Sequence, residues 1–330
     1  MAAYNYNVVK FGAKPDGRTD STKAFLGAWQ AACRSAASVT VTVPRGSFLL
    51  KPVVFRGPCR SRITFQIYGT IVAPSNYRGL GNSGYWILFV QVNRISINGG
   101  TLDARGASFW ACRKSGKSCP PGARSMTFNW ANDVVVTGLK SINSQVTHLV
   151  INSCNNVVVR KVKLVAPDQS PNTDGLHVQN SAGVTVTDST FQTGDDCISI
   201  GPGTRNLYMS KLNCGPGHGI SIGSLGRDAK EAGVQNITLN PIIVDQNYCP
   251  THKGCPKQGS GVKISQVVYR NIQGTSRTQH ALKFDCSRSN PCQAIRLHDI
   301  KLTFNGRSAT STCKNIKGVK AGVVMPQGCL

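Results

Sequence analysis

Acidic side chains are scarce in this sequence. Only 14 Asp and Glu stand against 38 Lys and Arg in 330 residues, leaving a net charge of +24. A field of that sign draws in polyanions, whether nucleic acid, an anionic membrane surface or an acidic polysaccharide, with plain solubility as the bland alternative. Aromatic residues make up only 7% of the chain and do not interleave with the basic ones, which argues against a surface that stacks bases. No run is long and apolar enough to span a membrane. The CxxC spacing is absent, which argues against a zinc ribbon or a thioredoxin-type redox pair.

Cysteine itself is plentiful, with 13 copies. Several are closely spaced: Cys112 and Cys119, Cys249 and Cys255, Cys286 and Cys292, Cys313 and Cys329. Such usage points to an oxidising compartment. The count is odd, and Cys154, inside the apolar run LVINSCNNVVV, is the candidate for a buried free thiol. The N-terminal stretch MAAYNYNVVKFGAKPDG carries no apolar segment of leader length. Either a leader has been removed or the product stays inside the cell.

From about residue 130 onward helical periodicity is nearly absent, and short Val/Ile-rich runs alternate with Asn, Gly, Ser and Thr. Alternation at period 2 with such punctuation marks strands. Matching the runs aligns Val157, Val184, Leu207, Ile237 and Val262, at spacings of 27, 23, 30 and 25 residues. A recurring unit of that size is the signature of a solenoid. Each unit holds more than one short strand, so the expected fold is all-β, a right-handed parallel β-helix running as a single domain over residues 1–330. A sandwich with Greek-key links would not repeat one register coil after coil.

Three successive second strands, TDGLHV, DDCISI and GHGISI, sharpen the pattern. Asp174, Asp196 and His218 fall in one column at intervals of 22 residues, with Leu176, Ile198 and Ile220 in the next. Stacking then places Asp195 and Asp196 beside Asp174 and beneath His218. Clustered carboxylates repel one another, and the repulsion should hold one of them protonated near an ionised neighbour. General acid plus general base is the pair that glycosidic bond cleavage requires. The structural alternative is that these acids serve local turns or bind calcium.

The stretches Asn172-Thr-Asp-Gly175, Gly194-Asp-Asp-Cys197 and Gly217-His-Gly219 resemble, in order and spacing, the motif set of polygalacturonases, the pectin-hydrolysing glycoside hydrolases built on a right-handed parallel β-helix. The likeness runs along nearly the whole chain and is nearest to the plant members, as VVKFGAKPDGRTDSTKAF, CGPGHGISIGSLG, VDQNYCP and KFDCSRSNPC illustrate. The resemblance implies Asp195 as the general acid, Asp174 and Asp196 as the pair that activates water, and inversion at the anomeric carbon. It implies that His218 sits beside the acid and that Asn172, Gly217 and Tyr248 lie near bound sugar, although Tyr248 serves equally well as a packing residue. It implies a disulfide between Cys197 and Cys214. His177 shares the alternate column with Ser199 and Ser221 and reads as structural. The implied partner is pectin or polygalacturonate, with no nucleic acid or membrane, no cofactor and no metal, and the chain is expected to act as a secreted, cell-wall monomer. A pectate lyase would need calcium, and no Arg is placed to abstract the proton.

Near the start, the segment TDSTKAFLGAWQAAC reads as a capping helix over about residues 20–34, with Phe25, Leu26 and Trp29 on one face and an Asp/Ser/Thr cap. It would plug the open end of the solenoid.

One departure from the family stands out. Polygalacturonases carry an Arg-Ile-Lys motif one coil beyond Gly-His-Gly, whose cations hold substrate carboxylates. Here GVQNITL passes directly to NPIIVDQNYC without it. The repeat shows the same gap: first-strand to second-strand spacing is 14 residues from Val184 to Ile198 and 13 from Leu207 to Ile220, but only 5 from Ile237 to Ile242. A truncated coil is therefore expected near residues 236–245, with impaired activity, or a non-catalytic pectin-binding relative, as its consequence. Arg227, Lys230, His252 and Lys253 are nearby cations that could compensate in part.

Overall fold

The computed structural model describes residues 4–226, 228, 230–239, 262–276, 278–327 and 330. Short alternating segments make strands, and nearly every described strand pairs in parallel with its counterpart one coil away, giving the expected right-handed β-helix. In Ala182–Gln192 the inward positions Val184, Val186, Ser189 and Phe191 are buried, and a bend at Asp188 (φ 51°) divides the strand into two faces of the coil. A second, narrower face carries the site. There Leu149–Asn152, Leu176–Gln179, Ile198–Ile200 and Ile220–Ile222 stack in register, with Leu149, Leu176, Ile198 and Ile220 aligned. The interior is a continuous apolar cluster from Val8 to Ala309.

The register of the long sheet confirms Val157, Val184, Leu207 and Ile237 as successive neighbours but overturns the last step. Ile237 pairs with Val267, not with Val262. The physical marker is a left-handed residue just before each inward pair: Asn156, Gly183, Asn206 and Asn236 all have φ between 55° and 67°. Asn and Gly tolerate that conformation and announce it in sequence. In the next coil the position is Gln266 (φ 57°), a residue type that gives no such signal.

Helix Thr22–Arg34 forms the expected cap, burying Ala24, Phe25, Ala28, Trp29 and Ala32. Leu26 is only half-buried, because the helix presents Ala28 and Ala32 to the first coil instead. Trp29 fixes the docking by donating its indole N–H to the Arg56 carbonyl at 3.1 Å and packing on Phe55. Ser21, at the N-cap, makes no capping bond; Asp20 accepts from the Thr22 amide at 3.0 Å in its place. No described helix is long and apolar enough to cross a membrane.

Disulfides join Cys33 to Cys59, Cys112 to Cys119, Cys197 to Cys214 and Cys286 to Cys292. Cys154 is the free cysteine among the described residues; burial pushes its thiol up to about 11, so it is inert rather than nucleophilic. Of the expected truncated coil, residues 240–245 lie outside the described residues, as does Tyr248.

Candidate active site

The acidic turn is clamped by its neighbours before any side-chain chemistry is considered. A Cβ on Gly194 would come within 2.1 Å of the Ser170 carbonyl oxygen, so only glycine lets the chain pass there. The Gly194 amide donates to Thr173 Oγ1 at 2.9 Å, and Ser170 bonds Thr173 at 2.7 Å. Backbone bonds from Gly175 to the Asp196 carbonyl (2.8 Å) and from His218 to the Asp195 carbonyl (2.9 Å) stitch three coils together at this level. The Cys197–Cys214 disulfide, with Cα atoms 5.9 Å apart, ties the turn to the long sheet.

Onto this frame the repeat brings three carboxylates and one imidazole. Asp195 accepts from the Asp196 amide at 2.9 Å and from Asn172 Nδ2 at 3.4 Å, and its Oδ1 lies 3.1 Å from His218 Nδ1. The column alignment places His218 above Asp196; its side chain instead turns to Asp195, as the family resemblance implies. Gly217 makes that possible: it sits at φ 151°, and a Cβ there would lie 2.8 Å from the Asp195 carbonyl. The Asp195 side chain is 24% exposed and that of His218 56% exposed, so the pair opens to solvent where a polymer can reach it.

Asp174 and Asp196 each have a serine partner one coil on. Ser199 donates to Asp174 Oδ2 at 2.6 Å, and Ser221 donates to Asp196 Oδ2. These serines occupy the alternate column noted in the sequence, but nothing in a single sequence distinguishes a serine that serves a carboxylate from one that merely fills a strand. Burial holds Asp174 up to about 6, the Asp195 charge adds to the rise, and the Ser199 hydrogen bond and His218 oppose it. Mutual repulsion, the cause expected from sequence, is thus the smaller contribution to that rise.

Ligand atoms of Asp195, Asp196 and His218 fall within 4.8 Å of one another, a spacing that could admit a cation. The Asp195 and His218 atoms, however, already face each other across a hydrogen bond, which is the arrangement of a proton-handling pair. Chemically, the cluster can donate a proton from one carboxyl and accept one at another, with water between.

The sequence pattern of the glycosyl hydrolases family 28 matches residues 33–240 and 230–324. The chain belongs to this family. Among its relatives, a polygalacturonase of Prunus persica is 49% identical over 366 residues, covering 98% of this chain and 93% of that one. Polygalacturonase-2 of Solanum lycopersicum is 39% identical over 365 residues, covering 97% and 80%. The fold matches the polygalacturonase from Erwinia carotovora (TM-score 0.69, 21% identity, 97% of this chain and 98% of that one). It also matches an endo-xylogalacturonan hydrolase from Aspergillus tubingensis (TM-score 0.72, 20% identity, 97% and 100%).

The same comparisons bear on the missing segment. The two stretches matching the family 28 pattern overlap at residues 230–240, so the pattern breaks there. The Prunus persica alignment is 366 positions long against 330 residues in this chain; 366 less 330 leaves at least 36 positions of the relative without a counterpart.

Proposed function

We propose that this protein is a polygalacturonase, hydrolysing the α-1,4-galacturonosyl linkages of pectin with inversion. Asp195 protonates the glycosidic oxygen, while Asp174 and Asp196 take up the proton of the attacking water. His218 tunes Asp195, and Asn172 and Gly217 border the bound sugar. The observation that carries this reading is the convergence of Asp174, Asp195, Asp196 and His218 from three coils at one solvent-open turn. The carboxyl held up to about 6 by burial is suited to accept a proton near neutrality. A net charge of +24 suits a polyanionic substrate. We further read the chain as one domain over residues 1–330, acting as a monomer outside the cell; the core from Val8 to Ala309 supports the single domain, and the four disulfides closed among the described residues support an oxidising setting.

The test is release of reducing ends from polygalacturonate by the wild type and by Asp195→Asn, which should fall about 10²- to 10⁴-fold. Nuclear magnetic resonance of the first-formed ends should show the β-anomer, the product of inversion. Retention on a pectate column without release of ends would instead identify a binding protein and end the hydrolase reading.

A further inference from the structure

A chain of side chains leads from Asp174 into the outward face of the narrow sheet. Ser199 Oγ lies 2.6 Å from Asp174 Oδ2 and 2.8 Å from His177 Nδ1. His177 Nε2 lies 3.1 Å from Gln179 Oε1, and Gln179 Nε2 donates to Asn152 Oδ1 at 3.0 Å. Asn152 in turn donates to Asn129 Oδ1 at 3.2 Å. The amides therefore run in one direction, each presenting its NH₂ to the next oxygen, and the Gln179 oxygen is left facing the imidazole.

That direction fixes where protons can sit. Gln179 Oε1 is an acceptor, so His177 Nε2 must carry a hydrogen. With Nε2 carrying that hydrogen, Nδ1 of the neutral ring is an acceptor; burial and the Arg124 charge favour that ring over the imidazolium, while the Gln179 hydrogen bond opposes them. Ser199 then stands between two acceptors, the Asp174 carboxylate and His177 Nδ1, with one hydroxyl hydrogen to give. Whichever it serves, the other goes without. A proton arriving on Asp174 resolves the shortage: the carboxyl O–H donates to Ser199 Oγ, and the Ser199 O–H donates to His177 Nδ1.

We propose that His177 is a positioning residue for the base of this site: by competing for the single Ser199 hydrogen, it strengthens the hold of Asp174 on the proton that hydrolysis takes from water. The idea rests on the role given to Asp174 under the polygalacturonase reading. In the hydrolytic step the water oxygen bonds to the anomeric carbon and the glycosidic C–O bond breaks towards an oxygen protonated by Asp195. The proton lost by water settles on Asp174, and no charge passes to the imidazole. The other groups facing Asp174 are Asp195 and His218, and the charge facing His177 is Arg124; none is altered by the variants below. Ser221 bonds Asp196 in the same manner one coil on, but the position equivalent to His177 there is Ser199 itself, so the competition acts on Asp174.

Two substitutions should move the acid limb of the pH–kcat/KM profile in opposite directions. His177→Phe frees the Ser199 hydrogen for the carboxylate and should lower the limb by about half to one pH unit; Ser199→Ala removes the donor and should raise it by a similar amount. His177→Asn keeps an acceptor close to the Nδ1 position and should restore most of the wild-type value. A purely structural histidine would leave the limb in place or shift it the same way in both variants, and either result overturns the proposal. A readout independent of turnover separates this from failure of the hydrolase reading. In the wild type, the ¹⁵N resonance of His177 Nδ1 should respond as Asp174 titrates, and in Ser199→Ala it should not. A wild-type Nδ1 indifferent to that titration would overturn the proposal even in an active enzyme, whereas a responsive one supports it even if no reducing ends appear.

Discussion

The long sheet and the narrow sheet differ in extent among the described residues. On the long sheet Val234–Leu239 pairs with Arg205–Cys214 on one side and with Ile264–Thr275 on the other. On the narrow face the seven-stranded sheet ends at Ile220–Ile222 among the described residues. The next described strand there, His280–Asp285, pairs with Thr310–Lys314 in a separate sheet. The long sheet thus keeps its register between described strands that flank residues 240–261. Because each coil touches only its neighbours, the acids one and two coils earlier keep their register regardless.

The comparison breaks most visibly if the gap in the repeat after Leu239 is filled. Inserting there a segment that carries the Arg-Ile-Lys motif implied by the family resemblance should bring two cations to the site. Two charge-assisted contacts at about 1.5–3 kcal/mol each correspond to a gain in kcat/KM of about 10²- to 10⁴-fold. Release of reducing ends by the two forms under identical conditions decides the matter. Equal rates would mean that residues already present supply those contacts.

A core truncation tests the stacking of the narrow face. Ile200 lies between Val178 and Ile222 and is fully buried. Ile200→Ala should cost about 3–5 kcal/mol, because packed coils on both sides resist collapse around the cavity, and urea unfolding measures the loss. A loss under about 1 kcal/mol would show that the column relaxes around the cavity.

Much of this is readable in the sequence, and where reading fails the reason is local. The spacing of 22 residues linking Asp174, Asp196 and His218 survives in the fold because Leu176, Ile198 and Ile220 form an apolar column that no other register would bury. The coil at Val267 escapes alignment because Gln266 adopts a left-handed conformation without a residue type that announces it. Ser199 and Ser221 are visible only as alternate-column residues, since a hydroxyl within reach of a carboxylate in the preceding coil is a fact of side-chain geometry. His177 reads as structural filler for the same reason, yet the outward side of its strand holds a polar chain rather than solvent.

The smallest expected effect tests what the intact stretch gives up to keep its chemistry. Asp174 prefers to be neutral in the folded chain, at about 6 against the ordinary 3.8, chiefly because it is buried. For a group raised on folding, the contribution to stability is fully present below the unfolded value and disappears as pH climbs through the folded one. The wild type should therefore lose stability between about pH 4 and pH 6 that an uncharged isostere would retain. A rise of that size corresponds to about 3 kcal/mol. Asp174→Asn should match the wild type at pH 4 and exceed it by about 2–3 kcal/mol at about pH 7.5, while its hydrolytic activity falls at both. A variant equally stable with the wild type at both pH values would mean that the carboxylate is solvated well enough to ionise freely. A gain confined to the higher pH would instead show that the best-packed part of the site face holds an ionisable group against its own stability. That is the expected condition of a base kept dry for catalysis.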